Sequence, residues 1–469
     1  MSPPSAVSWC SPPTRGQVPG HNLRMAFLRS GTRRVPVPRW RVVLAAALGL
    51  VALAATGLVA VSTARSYTPS PLERGDDEVA ADALPRLEFL RAELRDGAGE
   101  RMQRLFPEGY VFTHALYGLS WVNVGTLRPG ERDRALREAR WALERLEAPA
   151  GTAPFPEEAD PPYGVFHAGW TAWLRGRIVA LAGGPENAAA EAEALRVDTV
   201  ELRAAFDTAL EEGTPYLTAY PGQAWPVDSV VAVAALRQDD RLRGTDGHES
   251  TVRRWSRAVG DRLDPDTGLI PHSVDAATGE ATEGARGSSQ SLLLRFLAEI
   301  DPEWAARDYR AFRSRFGSDV GVVPGIREHP VGDDSPGDVD SGPLVLGLSA
   351  SASAVTLGDA VLFADEPTAA DLTGLAEAAG MAVELGGRRR YLGGALPVGD
   401  AFLVWSLTAG GEHAAVDPDP SGADPVWWRL PWHLATVVVL ALLWFALARA
   451  VRAARCGRPG TAVAGAEAR

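Results

Sequence analysis

From residue 86 to residue 410 two kinds of helical segment alternate, and no other feature of the sequence constrains the fold so tightly. One kind is charged and amphipathic, at 86–104, 129–147, 186–211, 247–263, 302–316 and 367–380. The other is apolar and built largely from small residues, at 111–126, 164–183, 226–237, 287–299, 343–363 and 399–409. An amphipathic helix needs one face in water, whereas a helix that is apolar all round must be enclosed. The alternation therefore predicts an inner and an outer layer. The apolar segments begin near residues 110, 163, 225, 286, 341 and 397, a period of 53 to 62 residues that suits one helical hairpin per repeat. Six hairpins closing on themselves make an all-α (α/α)6 toroid, while an open solenoid of the same units would need polar caps at both ends. The terminal units are no more polar than the others, which favours closure. Strand signals fall only in connections, notably 268–271 with 280–284, and 321–325, and read as short β-hairpins over one rim.

Two apolar runs flank this region. Residues 42–64 carry no charge, and neither do residues 430–448, which are entered through Trp427, Trp428 and Trp432. Each is about long enough to cross the ~30 Å hydrocarbon layer as a helix, and tryptophan suits the interface. Residues 1–41 hold seven arginines and no acid, and Arg449, Arg452, Arg455 and Arg458 follow the second run. The positive-inside bias then puts both termini in the cytoplasm of a two-pass cell-membrane protein, with the main domain outside. The expected layout is a basic tail at 1–41, a span at 42–64, a tether at 65–85, the toroid at 86–410, a second tether at 411–429, a span at 430–448 and a tail at 449–469. Ser62-Thr63-Ala64 leaves a cleaved signal peptide open as an alternative to the first span, and the second run would still anchor the product.

Charge and composition narrow the function. The 469 residues carry a formal charge of −12, and all 47 basic residues are arginine. Setting aside the positive tails leaves −23 between the spans. Such an acidic domain lacks the basic face that nucleic acid requires. Without lysine, Schiff-base chemistry and a Walker-type phosphate loop are closed in their usual forms. Cys10 and Cys456 both lie in the tails, so the domain between the spans has no disulfide, cysteine nucleophile or cysteine metal site.

In a ring of hairpins the inner helices run the same way, and the loops entering them gather at one end. The six entrances are Glu108-Gly109-Tyr110-Val111-Phe112-Thr113-His114, Pro162-Tyr163-Gly164-Val165-Phe166-His167, 220–228, 283–290, 338–343 and Pro397-Val398-Gly399-Asp400. Asp340, Ser341 and Asp400 would serve as ordinary N-caps. Tyr, Trp, His and Arg at the same places are not explained by capping, and a ligand cleft uses them. Tyr110 with His114, and Tyr163 with His167, stand four apart and share a helix face. Either imidazole would carry a proton near neutrality, or sit in the core as a hydrogen-bonded residue. Trp121, Trp170 and Trp225 would line the barrel and offer faces for a sugar ring or a prenyl chain, and packing explains them as well. Asp228 lies just inside an otherwise apolar helix, where burial raises a carboxyl pKa and makes a general acid. Glu328, followed by Asp338 and Asp340, sits on a connection beside the same rim, so a second carboxylate is available. Arg286 and Arg327 would hold an anionic group or neutralise neighbouring acids. Asp264, Asp266 and the acids at 333–340 lack the twelve-residue calcium loop, and no histidine pair has zinc spacing. No metal or diffusible cofactor is expected.

The stretches Tyr220-Pro221-Gly222-Gln223-Ala224-Trp225-Pro226-Val227-Asp228, Ala285-Arg286-Gly287-Ser288 and Asp338-Val339-Asp340-Ser341-Gly342-Pro343 carry a resemblance. Across about residues 105–410 the chain resembles the six-hairpin superfamily that includes many sugar-active enzymes, and more narrowly the linalool dehydratase/isomerase-like domain group. The resemblance implies the ring and the end at which a ligand binds. The named enzyme of that group places cysteines in its active site. This domain has none, so dehydration and isomerisation of a terpene alcohol are not carried over.

The expected activity is acid/base lyase, hydrolase or isomerase chemistry on a cell-envelope glycan or isoprenoid-linked substrate. Asp228, His114, His167 and Glu328 are the candidate catalytic groups, and Tyr110, Tyr163, Trp170, Tyr220, Trp225, Arg286, Asp338 and Asp340 the candidate ligand contacts. A non-catalytic glycan- or lipid-binding module, or a scaffold at the membrane surface, remains the competing class. The sequence names no protein partner.

Overall fold

The computed structural model describes residues 39–318, 323–412 and 428–455. The chain divides into two units, one of residues 1–53 and 442–469 and the other of residues 54–441. Two helices begin and end the described chain, α1 (Arg39–Arg65) and α16 (Arg429–Arg455), each long and apolar enough to span a membrane. In the smaller unit Arg41 donates to the Ala453 carbonyl at 3.4 Å.

The larger unit is helical apart from short strands in connections. Its helices are α2 (Asp76–Arg95), α3 (Ala98–Gln103), α4 (Gly109–Leu127), α5 (Arg132–Leu146), α6 (Pro149–Thr152), α7 (Gly164–Ala182), α8 (Ala189–Glu212) and α9 (Pro226–Arg243). Then come α10 (Glu249–Gly260), α11 (Gly287–Ile300), α12 (Pro302–Phe316), α13 (Ala350–Leu362), α14 (Glu366–Ala379) and α15 (Pro397–Leu407). The apolar helices α4, α7, α9, α11, α13 and α15 are buried along most of their length, as their all-round composition requires. Each packs on the next in chain order, and α15 packs on α4. The amphipathic helices α5, α8, α10, α12 and α14 each pack on the apolar helix before them, and α2 packs on both α4 and α15.

Small residues make the close crossings. A Cβ on Gly118 of α4 would lie 3.0 Å from Ala142 of α5 and 3.1 Å from Leu174 of α7, and one on Gly169 of α7 would lie 3.2 Å from the backbone of Ala232 in α9. Aromatic rings fill the interior between the inner helices, with Trp170 meeting Phe112, Phe296 and Trp405 edge-on. Where the inner helices finish, Glu412 accepts from Asn123 at 3.1 Å and from Arg295 at 2.8 Å, and the Arg295 guanidinium lies flat on Trp405.

The strands are β1 (Gln223–Ala224), β2 (Ser273–Asp275) and β3 (Ala281–Glu283), forming one antiparallel sheet, then β4 (Ile326–Arg327) paired with β5 (Leu348–Ser349), and β6 (Val383–Leu385) paired with β7 (Arg388–Arg390). The first sheet lies in the connection where a hairpin was expected, but the expected strand at 268–271 is turn and loop, the pairing uses 273–275 with 281–283, and 223–224 adds a third strand. The expected strand at 321–325 lies partly outside the described residues, as do the two tails, both cysteines and most of the second tether.

Two boundaries and the expected caps differ from the sequence reading. The stretch 65–85, read as a tether, is helical from Asp76 onward, and Val79, Ala80 and Ala83 join the core. Its Asp76-Asp77-Glu78 start complements the helix N-terminus, so charge here marks a helix end and not a linker. The last apolar segment but one begins as a helix at Ala350 and not near 343, because Gly342, Leu346 and Gly347 take left-handed φ values and Ser349 caps the helix by accepting from Ala352 N. Asp340 and Ser341 are therefore loop residues. Asp400 lies within the first turn of α15 and accepts from Tyr391 N, outside that helix.

Candidate functional site

Residues from all six helix entrances line one cavity of about 1580 Å³. Leu105, Phe106 and Glu108 come from the loop before α4, Phe166 from α7, and Tyr220, Trp225 and Asp228 from the start of α9. His272, Ser288 and Ser289 come from around α11, residues 334–347 from the loop before α13, and Tyr391, Leu392, Leu396 and Asp400 from the approach to α15. Most of the exposed lining surface is apolar, and polar residues from several entrances are set into it, among them Glu108, Tyr220, Asp228, His272, Asp340 and Asp400.

Asp228 stands in the first turn of α9, which begins with Pro226 after a β-conformation Trp225. Its carboxyl is buried. A helix N-terminus favours an anion by about 0.3–1 kcal/mol, but burial opposes the charge more strongly, and Glu108 and Asp340 add repulsion. The Asp228 pKa is held well above the ordinary carboxylate range, which favours the protonated form. Glu108 is fixed by Tyr220, whose hydroxyl donates to Oε1 at 2.6 Å.

A charged network lies at and behind another part of the wall. Arg286 donates from Nε to Glu328 Oε1 at 2.8 Å and from Nη1 to Asp338 Oδ2 at 2.6 Å, and Nη1 stands 3.4 Å from His272 Nε2. His272 Nδ1 is bonded to the Ser289 hydroxyl. Burial and the Arg286 charge push the imidazole down to about 4, so it is neutral near pH 7. Asp338 is spent: its Oδ1 accepts from Asp340 N and Ser341 N, and Arg286 holds its pKa below the usual value against burial. Asp340 exposes its carboxyl, but to cavity surface enclosed by protein, and desolvation followed by repulsion from Asp338 pushes it up to about 6. It is mostly ionised at pH 7.

Among the described residues, His272, Asp338 and Asp340 offer ligand atoms within 4.8 Å of one another, close enough for an ion. Arg286 already supplies the positive charge at that point, and a divalent ion would have to displace it. The Asp264 carboxylate instead shapes a turn, accepting from Asp266 N, Thr267 Oγ1 and Ala285 N.

No protein family matches this chain, and no curated protein matches it. The chemistry of the site therefore rests on its geometry.

Of the sequence candidates, Asp228, Tyr220, Trp225, Asp338 and Asp340 line the cavity together. His114 and His167 do not. His114 is buried, with Nδ1 bonded to Tyr110 O at 2.9 Å and its ring against Trp141. His167 binds the Leu146 carbonyl through Nε2 at 3.0 Å. Burial lowers both pKa values, His114 to about 4, so each is a neutral structural side chain. Tyr110 is buried on His114, Tyr163 packs edge-on against His167, and Trp170 sits in the aromatic interior. Glu328 is fully buried, taking Arg286 and the Ser288 amide and hydroxyl; it positions α11 and the guanidinium and does not reach the cavity. Arg286 is likewise behind the wall. Arg327 lines the cavity, but its guanidinium grips Asp334 and the Asp333 carbonyl. Sequence reasoning assigned no role to His272 or Glu108; Glu108 stood in a quoted entrance motif, while His272 lay between the two stretches read as strand.

Two carboxyls thus face the same largely apolar space, burial raising the pKa of both and that of Asp340 to about 6, and carboxyls raised in this way suit proton transfer.

Proposed function

We propose that the domain between the two membrane-length helices is an extracytoplasmic (α/α)6 toroid of the six-hairpin type, tethered to the cell membrane, and that it catalyses acid/base lyase or isomerase chemistry on an apolar, isoprenoid-like substrate. The return of α15 to α4 in the order of inner helices supports closure. Asp228 donates a proton to the leaving hydroxyl or double bond of the substrate, and Asp340 accepts one from an adjacent carbon. Neutral His272, anchored by Ser289, and Tyr220 orient polar substrate atoms beside them. A glycan substrate is the weaker choice, because a sugar needs polar partners around its whole perimeter, while most of this lining surface is apolar.

The observation that carries the reading is Asp228, a buried carboxyl at a largely apolar cavity whose burial favours its protonated form, with Asp340 on the same cavity. The test incubates the full chain, in detergent, with a panel of prenyl and polyprenyl alcohols and follows loss of water or double-bond migration by mass spectrometry. The expected result is turnover by the native chain and a loss of about a hundredfold or more in Asp228→Asn, in line with removal of a general acid, while binding persists. Binding without turnover in the native chain would replace the enzyme with a lipid-binding module.

A further inference from the structure

The hairpin β6–β7 is joined by Gly386 and Gly387, both at left-handed φ, as a two-residue turn requires. Its register sets Val383 opposite Arg390, Glu384 opposite Arg389 and Leu385 opposite Arg388. Opposed residues share a face. One face is therefore Glu384 and Arg389, and it is anchored: Arg389 bonds Asp82 and, at 2.7 Å, Glu377. The other face carries Val383 and Leu385, 47% and 66% exposed, together with Arg388, which is exposed and makes no ion pair among the described residues, and Arg390, which is half-buried with its guanidinium over the Phe89 ring. An apolar and basic face on an otherwise acidic protein is a local reversal.

Its place in the fold supplies the second observation. From its middle to its end α14 holds the ends of both membrane-length helices or the residues next to them: Ser62 Oγ donates to Ala378 O at 3.1 Å, Trp428 Nε1 donates to Asp371 at 2.8 Å, and Gly374 lies against Ser66 O. The hairpin starts five residues beyond Ala378. Immediately after it, Tyr391 binds Glu377 of the same helix, and Leu392 and Leu396, 63% and 44% exposed, line the cavity. One helix thus carries the membrane attachment, the amphipathic hairpin and the cavity rim.

We infer that the Val383, Leu385 and Arg388 face of the hairpin seats in an anionic bilayer surface, with Leu392 and Leu396 beside it, so that the cavity receives its ligand from the lipid phase. The apolar side chains enter the acyl boundary and Arg388 meets lipid phosphate. The ligand class rests on the function proposed above; the seating of the hairpin does not.

The test uses the full chain with Cys10→Ser and Cys456→Ser, labelled with a fluorophore at Leu385→Cys, in nanodiscs of phosphatidylcholine and phosphatidylglycerol bearing acyl-chain nitroxides. A label at Asp246→Cys, exposed on the connection after α9, is the reference. The label at position 385 is expected to be quenched at least about threefold more than the reference, as an interfacial segment requires. Equal quenching at the two positions overturns the inference. Adding Arg388→Glu, or omitting phosphatidylglycerol, is expected to lower quenching at position 385 by about half, and no change in either arm overturns the headgroup contact. The readout needs no turnover, so its failure and the failure of the Asp228 test are distinguishable.

Discussion

Tyr220 donates its hydroxyl to Glu108 Oε1 at 2.6 Å, joining the loop before α9 to the loop before α4 across 112 positions of chain. The bond holds a carboxylate beside Asp228, where the two acids repel. Glu108→Gln removes that charge and eases ionisation of Asp228, so the Asp228 pKa falls toward the ordinary range. Carboxyl-carbon NMR on the labelled chain measures it directly. An unmoved titration would mean that burial alone keeps the proton on Asp228.

Asp400 gives a stability profile with a definite sign. Burial pushes its pKa up to about 7, against the hydrogen bond from Tyr391 N. An unfolded aspartate titrates near ~3.9, so between about pH 4 and 7 the folded chain binds more protons than the unfolded one, and this group's contribution to stability falls as pH rises through that window. Asp400→Asn keeps an acceptor for Tyr391 N and removes the cost. The variant is expected to be more stable above pH 7, by on the order of a few kcal/mol, with the difference vanishing below pH 4. Denaturant melts at pH 4 and pH 8 check it, and a gap of equal size at both values would contradict the assignment.

Glu328 and Arg286 form a buried pair, and breaking one side should cost far more than replacing both. Arg286→Met strands a fully buried carboxylate and is expected to cost about 3–5 kcal/mol. Arg286→Met with Glu328→Gln is expected to recover most of that loss, since Gln still accepts from Ser288. Additive losses in a double-mutant cycle would show that the two side chains act independently.

The layered arrangement was legible because enclosure and amphipathicity are properties of composition: the apolar segments at 164–183 and 287–299 coincide with α7 and α11 to within a residue. Asp228 was legible for the same reason, as an acid in a helix that has to be buried. Charge misled at 76–85, where acids that read as a linker serve a helix N-terminus. The β6–β7 hairpin had a local signal in Gly386-Gly387 that the helical periodicity overshadowed. Glu108 and His272 were opaque because their role depends on which connections meet in space, and that follows from packing and not from spacing. Arg286 was read as either ligand-binding or neutralising, and its bonds to Glu328 and Asp338 decide for the second.

His114 and His167 illustrate the limit of a four-residue spacing, which puts two side chains on one helix face without saying what that face meets. In both cases it meets other protein. His114 closes on Tyr110 with ring centres 4.2 Å apart, and His167 ties α7 to the Leu146 carbonyl at the end of α5. Their hydrogen bonds to carbonyls require a ring N–H, which the neutral imidazole supplies, so neither group titrates into a catalytic role near pH 7. His167→Phe leaves the Leu146 carbonyl without its partner and is expected to lose about 1–3 kcal/mol. The pH dependence of turnover on a prenyl alcohol should stay where the native chain has it, set by Asp228 and Asp340. If turnover in His167→Phe instead shifts its pH profile or disappears while thermal unfolding is unchanged, the imidazole belongs to the reaction and the cavity wall has been drawn too narrowly.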